Sequence, residues 1–167
     1  MNDEKSYSIH IFCNESNKKY HYALIDDENV TKLHQGLIPD DKLSASDIIK
    51  YAFKMSLKYT DIKGDFYINL NNSWLLTDNV RVTDIRLKYS SCIRRYLLEW
   101  MNADDGEKNI ERWTMRPWCP CFTHDDDSDL YKVLCIVLKA TLSDADSPIN
   151  QCVNIRIDNS ELRELDL

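Results

Sequence analysis

The segment YSIHIFC, residues 7–13, decides the fold class, because its side chains alternate between two faces. One face carries Tyr7, Ile9, Ile11 and Cys13, and the other carries Ser8, His10 and Phe12. A period of two with aromatic and β-branched residues is typical of a strand that is buried on one side. The polar turn NESNK separates this run from a second apolar run at residues 19–25. The sequence therefore predicts a β-hairpin at the start of a sheet.

The clearest helix signal follows at residues 46–59. Ser46 is the predicted N-cap, and Asp47 stands in the first turn, where a carboxylate complements the helix dipole. Apolar residues recur at helical spacing along one side, namely Ile48, Ile49, Ala52, Phe53 and Leu57. Lysines occupy the opposite side, so we expect one face of this helix to pack on the sheet.

The remaining segments are assigned from the same two periodicities. Residues 29–35 indicate one short helical turn, residues 65–78 two short strands about the turn NNS, and residues 79–91 an edge strand or an extended loop. A second helix is predicted at about 91–102. Residues 130–142, LYKVLCIVLKATL, are apolar and β-branched and predict a central strand that is buried on both faces. Residues 150–158 predict its partner in a C-terminal hairpin.

Together these elements predict an α+β fold in a single domain that spans residues 1–167. We expect a mainly antiparallel sheet of about five to six strands, with two main helices packed on one face. The length is enough for a self-sufficient core. No internal repeat is visible in the sequence.

The chain is acidic, with 28 Asp and Glu against 21 Lys and Arg and a net charge of −7. Such a surface repels phosphate backbones and attracts basic proteins, so we expect a basic protein partner and no direct nucleic-acid binding. The first residues lack the features of a secretion signal, and the longest apolar run, VLCIVL, is far too short to span a bilayer. We therefore expect a cytoplasmic protein with reduced cysteines and no membrane contact.

The segment RPWCPCFTHDDDSD, residues 116–129, holds two cysteines and a histidine among several aspartates. Thiolate and imidazole are ligands that zinc prefers, which makes Cys119, Cys121 and His124 weak candidates for a metal site. Structural zinc sites usually separate their cysteines by two to four residues, whereas a single proline separates these two. The preferred interpretation is an irregular loop in which the cysteines act as small apolar residues, and no cofactor is expected.

Cys135 and Cys152 are candidates for contact across the predicted C-terminal hairpin. They face each other if the hairpin turns at residues 143–144, whereas a turn centred on Ala145 pairs Cys135 with Ile155. The sequence leaves both arrangements open. Reduced thiols are expected in a cytoplasmic chain.

The predicted interface consists of acidic loops around an aromatic segment, because charged rims speed association and buried aromatic residues supply most of the affinity. Its residues are Asp104, Asp105, Glu107, Trp113, Trp118, Asp125, Asp126, Asp127 and Asp129. Small acidic inhibitors of basic enzymes, including immunity proteins that block nuclease-type toxins, have this general character. We therefore expect a binding or inhibitor protein that neutralises a basic partner, such as a toxin, by steric and electrostatic occlusion.

The alternative is a metal-dependent enzyme that uses dispersed carboxylates or the Cys119, Cys121 and His124 loop. Metal-dependent hydrolysis needs carboxylates from separate elements gathered around a cation. The acidic clusters of this chain are short runs such as DDE at 26–28, which are more typical of turns. The sequence contains no nucleophile elbow, phosphate-binding loop or HExxH motif, so no catalytic residue is assigned.

Overall fold

The computed structural model describes residues 5–14, 16–42, 44–72, 81–92, 94–104, 111–117, 127–142 and 147–164. Its strands are β1 Ser6–Cys13, β2 Tyr20–Asp26, β3 Thr31–Leu37, β4 Asp65–Asn71, β5 Arg81–Ser90, β6 Arg95–Asp104, β7 Glu111–Pro117 and β8 Gln151–Asp158. Its α-helices are α1 Ala45–Ser56, α2 Asp127–Thr141 and α3 Ser160–Arg163. Short 3₁₀ turns cover Leu57–Tyr59 and Pro148–Asn150. None of the helices in this part of the chain is long and apolar enough to cross a membrane.

The described strands form one mixed sheet in the order β3-β2-β1-β4-β8-β5-β6-β7. Strand β1 runs parallel to β4, and β5 runs parallel to β8. All other neighbouring strands are antiparallel, including β4 and β8 at the centre of the sheet. A parallel pair needs a crossover connection, and a helix supplies it twice: α1 leads from β3 to β4, and α2 leads from β7 to β8.

The two halves of the chain have the same connectivity. Three antiparallel strands, a helix and a strand parallel to the first occur once in β1–β4 and again in β5–β8. Residues 6–13 of β1 and 82–89 of β5 show the same succession of buried and exposed positions. The antiparallel pair Ile68 and Ile155 lies where the halves meet, so the sheet has an approximate two-fold axis at that pair.

The core lies between one face of the sheet and the two long helices, which contact each other. Inward side chains of neighbouring strands form continuous rows; one row contains Leu24, Ile9, Ile68, Ile155 and Ile85. The buried face of α1 carries Ile48, Ile49, Ala52 and Phe53, and that of α2 carries Leu130, Val133, Leu134, Val137 and Leu138. Each large apolar side chain buried here contributes roughly 1.5–3 kcal/mol, so this layer is the main source of stability.

Helix α1 confirms the clearest helix prediction, with a shift of its start. Ser44, rather than Ser46, is the N-cap, because its Oγ accepts a hydrogen bond from the Asp47 backbone N–H at 3.1 Å. Ser46 lies within the first turn and is buried. The first hairpin, β1 and β2, is also confirmed.

A buried polar cluster around Asn159 ties the end of β8 to the start of β4. The Asn159 side chain is fully buried; its Oδ1 accepts from the Tyr96 hydroxyl at 2.7 Å, and its Nδ2 donates to the carbonyls of Ile62 and Gly64 at 3.0 and 2.9 Å. Its backbone N–H donates to Asp65 at 2.7 Å. Every polar group of this asparagine side chain is therefore paired, which such burial requires.

The α+β class is confirmed, but the sheet differs from the prediction. It is larger than five to six strands, and it is mixed rather than mainly antiparallel. The predicted second helix at about 91–102 is wrong, because this region contains strand β6. Tyr96 and Leu98 are buried at alternate positions against β5. The segment therefore follows the two-residue period of a strand, although its apolar residues also fit helical spacing.

The predicted strand at 130–142 is also wrong, because this region belongs to helix α2. Its buried residues recur at three- and four-residue intervals, and its length exceeds that of an ordinary strand. There is consequently no C-terminal hairpin: β8 pairs with β4 and β5 instead. Cys135 lies on α2 and Cys152 on β8, and both thiols are free.

The other segments that were assigned from the sequence differ in part from the structure. The helical turn at 29–35 is wrong, because Thr31–Leu37 forms β3, the edge strand that pairs with β2. The segment 79–91 contains β5, which lies between β8 and β6 and is not an edge strand. Of the two short strands at 65–78, β4 is confirmed, and residues 73–80 lie outside the described residues.

Candidate functional site

Strand β7 forms one edge of the sheet. It pairs with β6, and no other strand among the described residues lies beside it. Its register sets Glu111 opposite Ala103 at one end and Pro117 opposite Leu97 at the other. An edge strand exposes backbone N–H and C=O groups that have no partner in the sheet, so it can accept a strand from another chain.

The region around β7 carries most of the net charge of the protein. Residues 104–129 contain eight acidic and three basic side chains, a net charge of −5 out of −7. The connection from β6 enters β7 at Glu111, and the connection to α2 leaves it at Pro117. The two acidic stretches therefore precede and follow one edge strand in the chain. We call β7 together with these stretches, residues 104–129, the acidic edge.

The predicted interface residues all belong to the acidic edge by sequence. Asp104 ends β6, Trp113 lies within β7, and Asp127 and Asp129 lie in the first turn of α2. For these four the structure describes the backbone alone. Asp105, Glu107, Trp118, Asp125 and Asp126 lie outside the described residues, as do the metal candidates Cys119, Cys121 and His124. Within the residues that are described, no three His, Cys, Asp or Glu side chains are grouped so that they could hold a metal ion.

A second candidate surface is the face of the sheet opposite α1 and α2, which we call the outer face. No described helix covers it, and the side chains of His10, Arg86, Lys88 and Arg156 are exposed there. Phe12 is 43% exposed and stacks on His21, with ring centroids 5.6 Å apart. Sequence reasoning missed most of this face, because its alternation becomes visible only once β5, β6 and β8 are known to be neighbouring strands.

The outer face contains a pocket of about 270 Å³ over β6, β5 and β8. Its lining is Arg86, Leu87, Lys88, Leu97, Glu99, Arg156 and Asp158. Arg86 Nη1 lies 3.8 Å from a carboxylate oxygen of Glu99, and the Arg156 guanidinium lies over the Tyr67 ring at 5.6 Å. The lining thus combines three cationic residues with two acidic residues and two leucines.

Asp158 is held in its ionised form at the rim of this pocket. Burial acts to raise the pKa of Asp158, but hydrogen bonds from Ser160 and the charges of Lys88 and Arg156 outweigh it and leave the pKa below its ordinary value. The Ser160 backbone N–H and Oγ donate to one oxygen of Asp158 at 2.9 and 2.7 Å. This carboxylate is therefore stabilised both by Ser160, outside the lining, and by Lys88 and Arg156 within it.

An aromatic cluster occupies the opposite edge of the sheet, on its helix side. The Tyr22 hydroxyl lies 2.8 Å from His34 Nε2, and the His34 ring stacks on Tyr59 with centroids 4.4 Å apart. Burial, together with the neighbouring phenols Tyr51 and Tyr59, raises the pKa of Tyr22 to about 12. A Cβ on Gly36 would lie 2.7 Å from the Tyr22 oxygen, so the cluster packs directly against that glycine. This dense packing is typical of structural aromatic residues.

A further hollow of about 250 Å³ lies beside the β1–β2 turn. Lys18, Lys19, Lys42 and Asp40 contribute to its lining, and Lys19 Nζ lies 3.8 Å from Asp40. Its lysines are thus partly compensated.

The chain was compared with protein-family models, with curated proteins and with solved structures, and none of the three comparisons finds a match.

Proposed function

We propose that this protein is a small binding protein that recognises a basic protein partner through the acidic edge. The observation that supports the proposal is topological: β7 is an edge strand, and the chain segments that precede and follow it are strongly acidic. An inhibitor that covers the active site of a basic enzyme, as immunity proteins do with nuclease-type toxins, is the function that this arrangement serves best.

In this proposal, strand β7 and the acidic stretches contribute to binding in different ways. Backbone groups of β7 offer hydrogen bonds to an extended segment of the partner, as in strand addition. The acidic stretches attract the basic surface from a distance and raise the association rate, an effect that salt screens over about 10 Å at 0.1 M. Trp113, within β7, is the expected aromatic anchor of the contact.

The partner is identified first, by capture of tagged protein from its native lysate at low and at high salt. We expect one stoichiometric basic protein that salt weakens or releases. Affinity is then measured by calorimetry for the double variant Asp104→Lys with Asp127→Lys, which reverses one charge at the end of β6 and one at the start of α2.

The matched control is Asp40→Lys with Asp41→Lys. It makes the same change in net charge at two exposed aspartates between β3 and α1. We expect the acidic-edge variant to lose about tenfold in affinity, mainly through slower association, and the control to lose far less. Wild-type affinity in the acidic-edge variant would place the interface elsewhere. Equal losses in both would show that net charge alone attracts the partner.

A further inference from the structure

Two arginines occupy directly paired positions in the middle of the outer face. Arg86 on β5 and Arg156 on β8 are register partners in a parallel pair of strands, and both side chains are exposed. Like charges at directly opposite positions destabilise a sheet. Positions where a chain departs from such a local rule are most often functional.

The structure separates the two guanidinium groups by giving each a partner on a different strand. Arg86 pairs with Glu99 on β6, and Arg156 lies over Tyr67 on β4. Both arginines also line the pocket of about 270 Å³, with Lys88 beside them on β5. From this geometry we infer that the pocket binds a small organic anion, whose phosphate or carboxylate lies between Arg86, Lys88 and Arg156. We call it the anion pocket.

The other half of the molecule shows that the fold does not require these charges. The approximate two-fold axis relates the row Glu99, Arg86 and Arg156 to the row Ala23, His10 and Asn69. His10 and Asn69 are register partners in the parallel pair of β1 and β4, just as the arginines are in β5 and β8. The same place in the same architecture is thus occupied without an arginine pair.

The remaining lining residues define the ligand class. Three cations face two carboxylates, and Asp158 already accepts two hydrogen bonds from Ser160, so the lining has an excess of positive charge. Leu97 provides an apolar contact surface beside the cations. A planar or apolar group that carries one oxyanion matches this combination, and arginine suits an oxyanion because it can donate two parallel hydrogen bonds.

The test uses the full chain, with phenyl phosphate and benzoate as probes and NMR titration at constant ionic strength as the readout. We expect saturable shifts of the backbone signals of Lys88, Leu97 and Arg156 with at least one probe. A response to phenyl phosphate alone identifies a phosphate ligand, a response to benzoate alone identifies a carboxylate ligand, and a response to both supports the pocket for either. Saturable binding of neither probe would overturn the inference.

Variants test whether the arginines carry the binding. Arg156→Gln and Arg86→Gln are each expected to weaken binding about tenfold or more, since each removes hydrogen bonds to a charged group. The matched control is Lys132→Gln, which removes one positive charge from an exposed position on α2. Unchanged binding in both arginine variants, or an equal loss in the control, would overturn the inference.

Thermal unfolding without ligand distinguishes lost binding from lost structure. Because Arg156→Gln removes a like-charge pair, its melting temperature should equal or exceed that of the wild type. If the substitution lowers the melting temperature instead, the binding test rests on Lys88→Gln, which leaves the arginine pair intact. This inference is independent of the acidic edge, so either proposal can fail while the other stands.

Discussion

Asn159 shows how a single residue can hold distant parts of the chain together. Its side chain joins the Tyr96 hydroxyl on β6 to the carbonyls of Ile62 and Gly64 before β4. Because it is fully buried, its removal would take a hydrogen-bond partner from each of three polar groups that it contacts. The network is therefore worth more than any one of its bonds.

We expect Asn159→Ala to lower the free energy of unfolding by about 3 kcal/mol, measured by urea denaturation, since each unsatisfied buried group costs about 1–3 kcal/mol. The matched control is Asn154→Ala on the same strand. Asn154 is exposed on the outer face and donates to Asp84 at 2.9 Å, so its loss should cost about 0.5 kcal/mol or less. Equal losses at the two sites would contradict the role assigned to Asn159.

The buried tyrosines predict how stability changes at alkaline pH. The folded protein raises the pKa of Tyr22 to about 12, whereas an unfolded tyrosine ionises near pH 10. The folded state therefore favours the neutral phenol, and this contribution to stability is complete below about pH 10 and is lost as the pH rises from 10 towards 12.

We therefore expect the free energy of unfolding to fall between about pH 10 and 12 and to fall less steeply in Tyr22→Phe. Denaturant unfolding at several pH values measures both. Tyr67→Phe is the control, because it removes a phenol hydroxyl from a half-buried position on the other face of the sheet, away from Tyr22. An identical slope in the wild type and in Tyr22→Phe would show that Tyr22 is not the group responsible.

At the scale of single elements, the helical assignment of α2 predicts different stability losses at two nearby residues. A strand would place residues 134 and 136 on the same face, whereas a helix separates them. Leu134 is fully buried and Ile136 is 37% exposed. We expect Leu134→Ala to lower the free energy of unfolding by about 3 kcal/mol and Ile136→Ala by about 1 kcal/mol or less, measured by denaturant unfolding. Equal losses would restore the strand assignment.

The elements also show what the sequence can predict. Strand β1, strand β2 and helix α1 are predicted well, because their polar and apolar residues alternate or recur with one clear period. Strand β6 and helix α2 are not predicted well, because the apolar residues of each segment fit both the strand period and the helix period. The secondary structure of each segment is determined by the element that it packs against. Strand β6 pairs with β5 along ten residues, and α2 packs on α1 and the sheet. Helix α1 is distant from α2 in sequence, and β5 was itself predicted only as an edge strand or a loop.

At the scale of the whole molecule, most of the net charge belongs to the chain segment that contains the edge strand β7. The acidic residues of the candidate interface were chosen from composition, because runs of aspartate are visible in any sequence. That the strand between them is an edge strand was not predicted, because it depends on strand order. The anion pocket was missed altogether, since Arg86 and Arg156 become neighbours only through the parallel pairing of β5 and β8.

The approximate two-fold arrangement has a consequence for stoichiometry. An assembly of two identical halves would show every outer-face side chain in duplicate, and any ligand site on that face would come in two copies. Because both halves belong to one chain, their outer faces differ: one carries Arg86 and Arg156, and the other carries His10 and Asn69. Within the described residues, each molecule thus offers a single copy of the arginine pair, on one side of its axis.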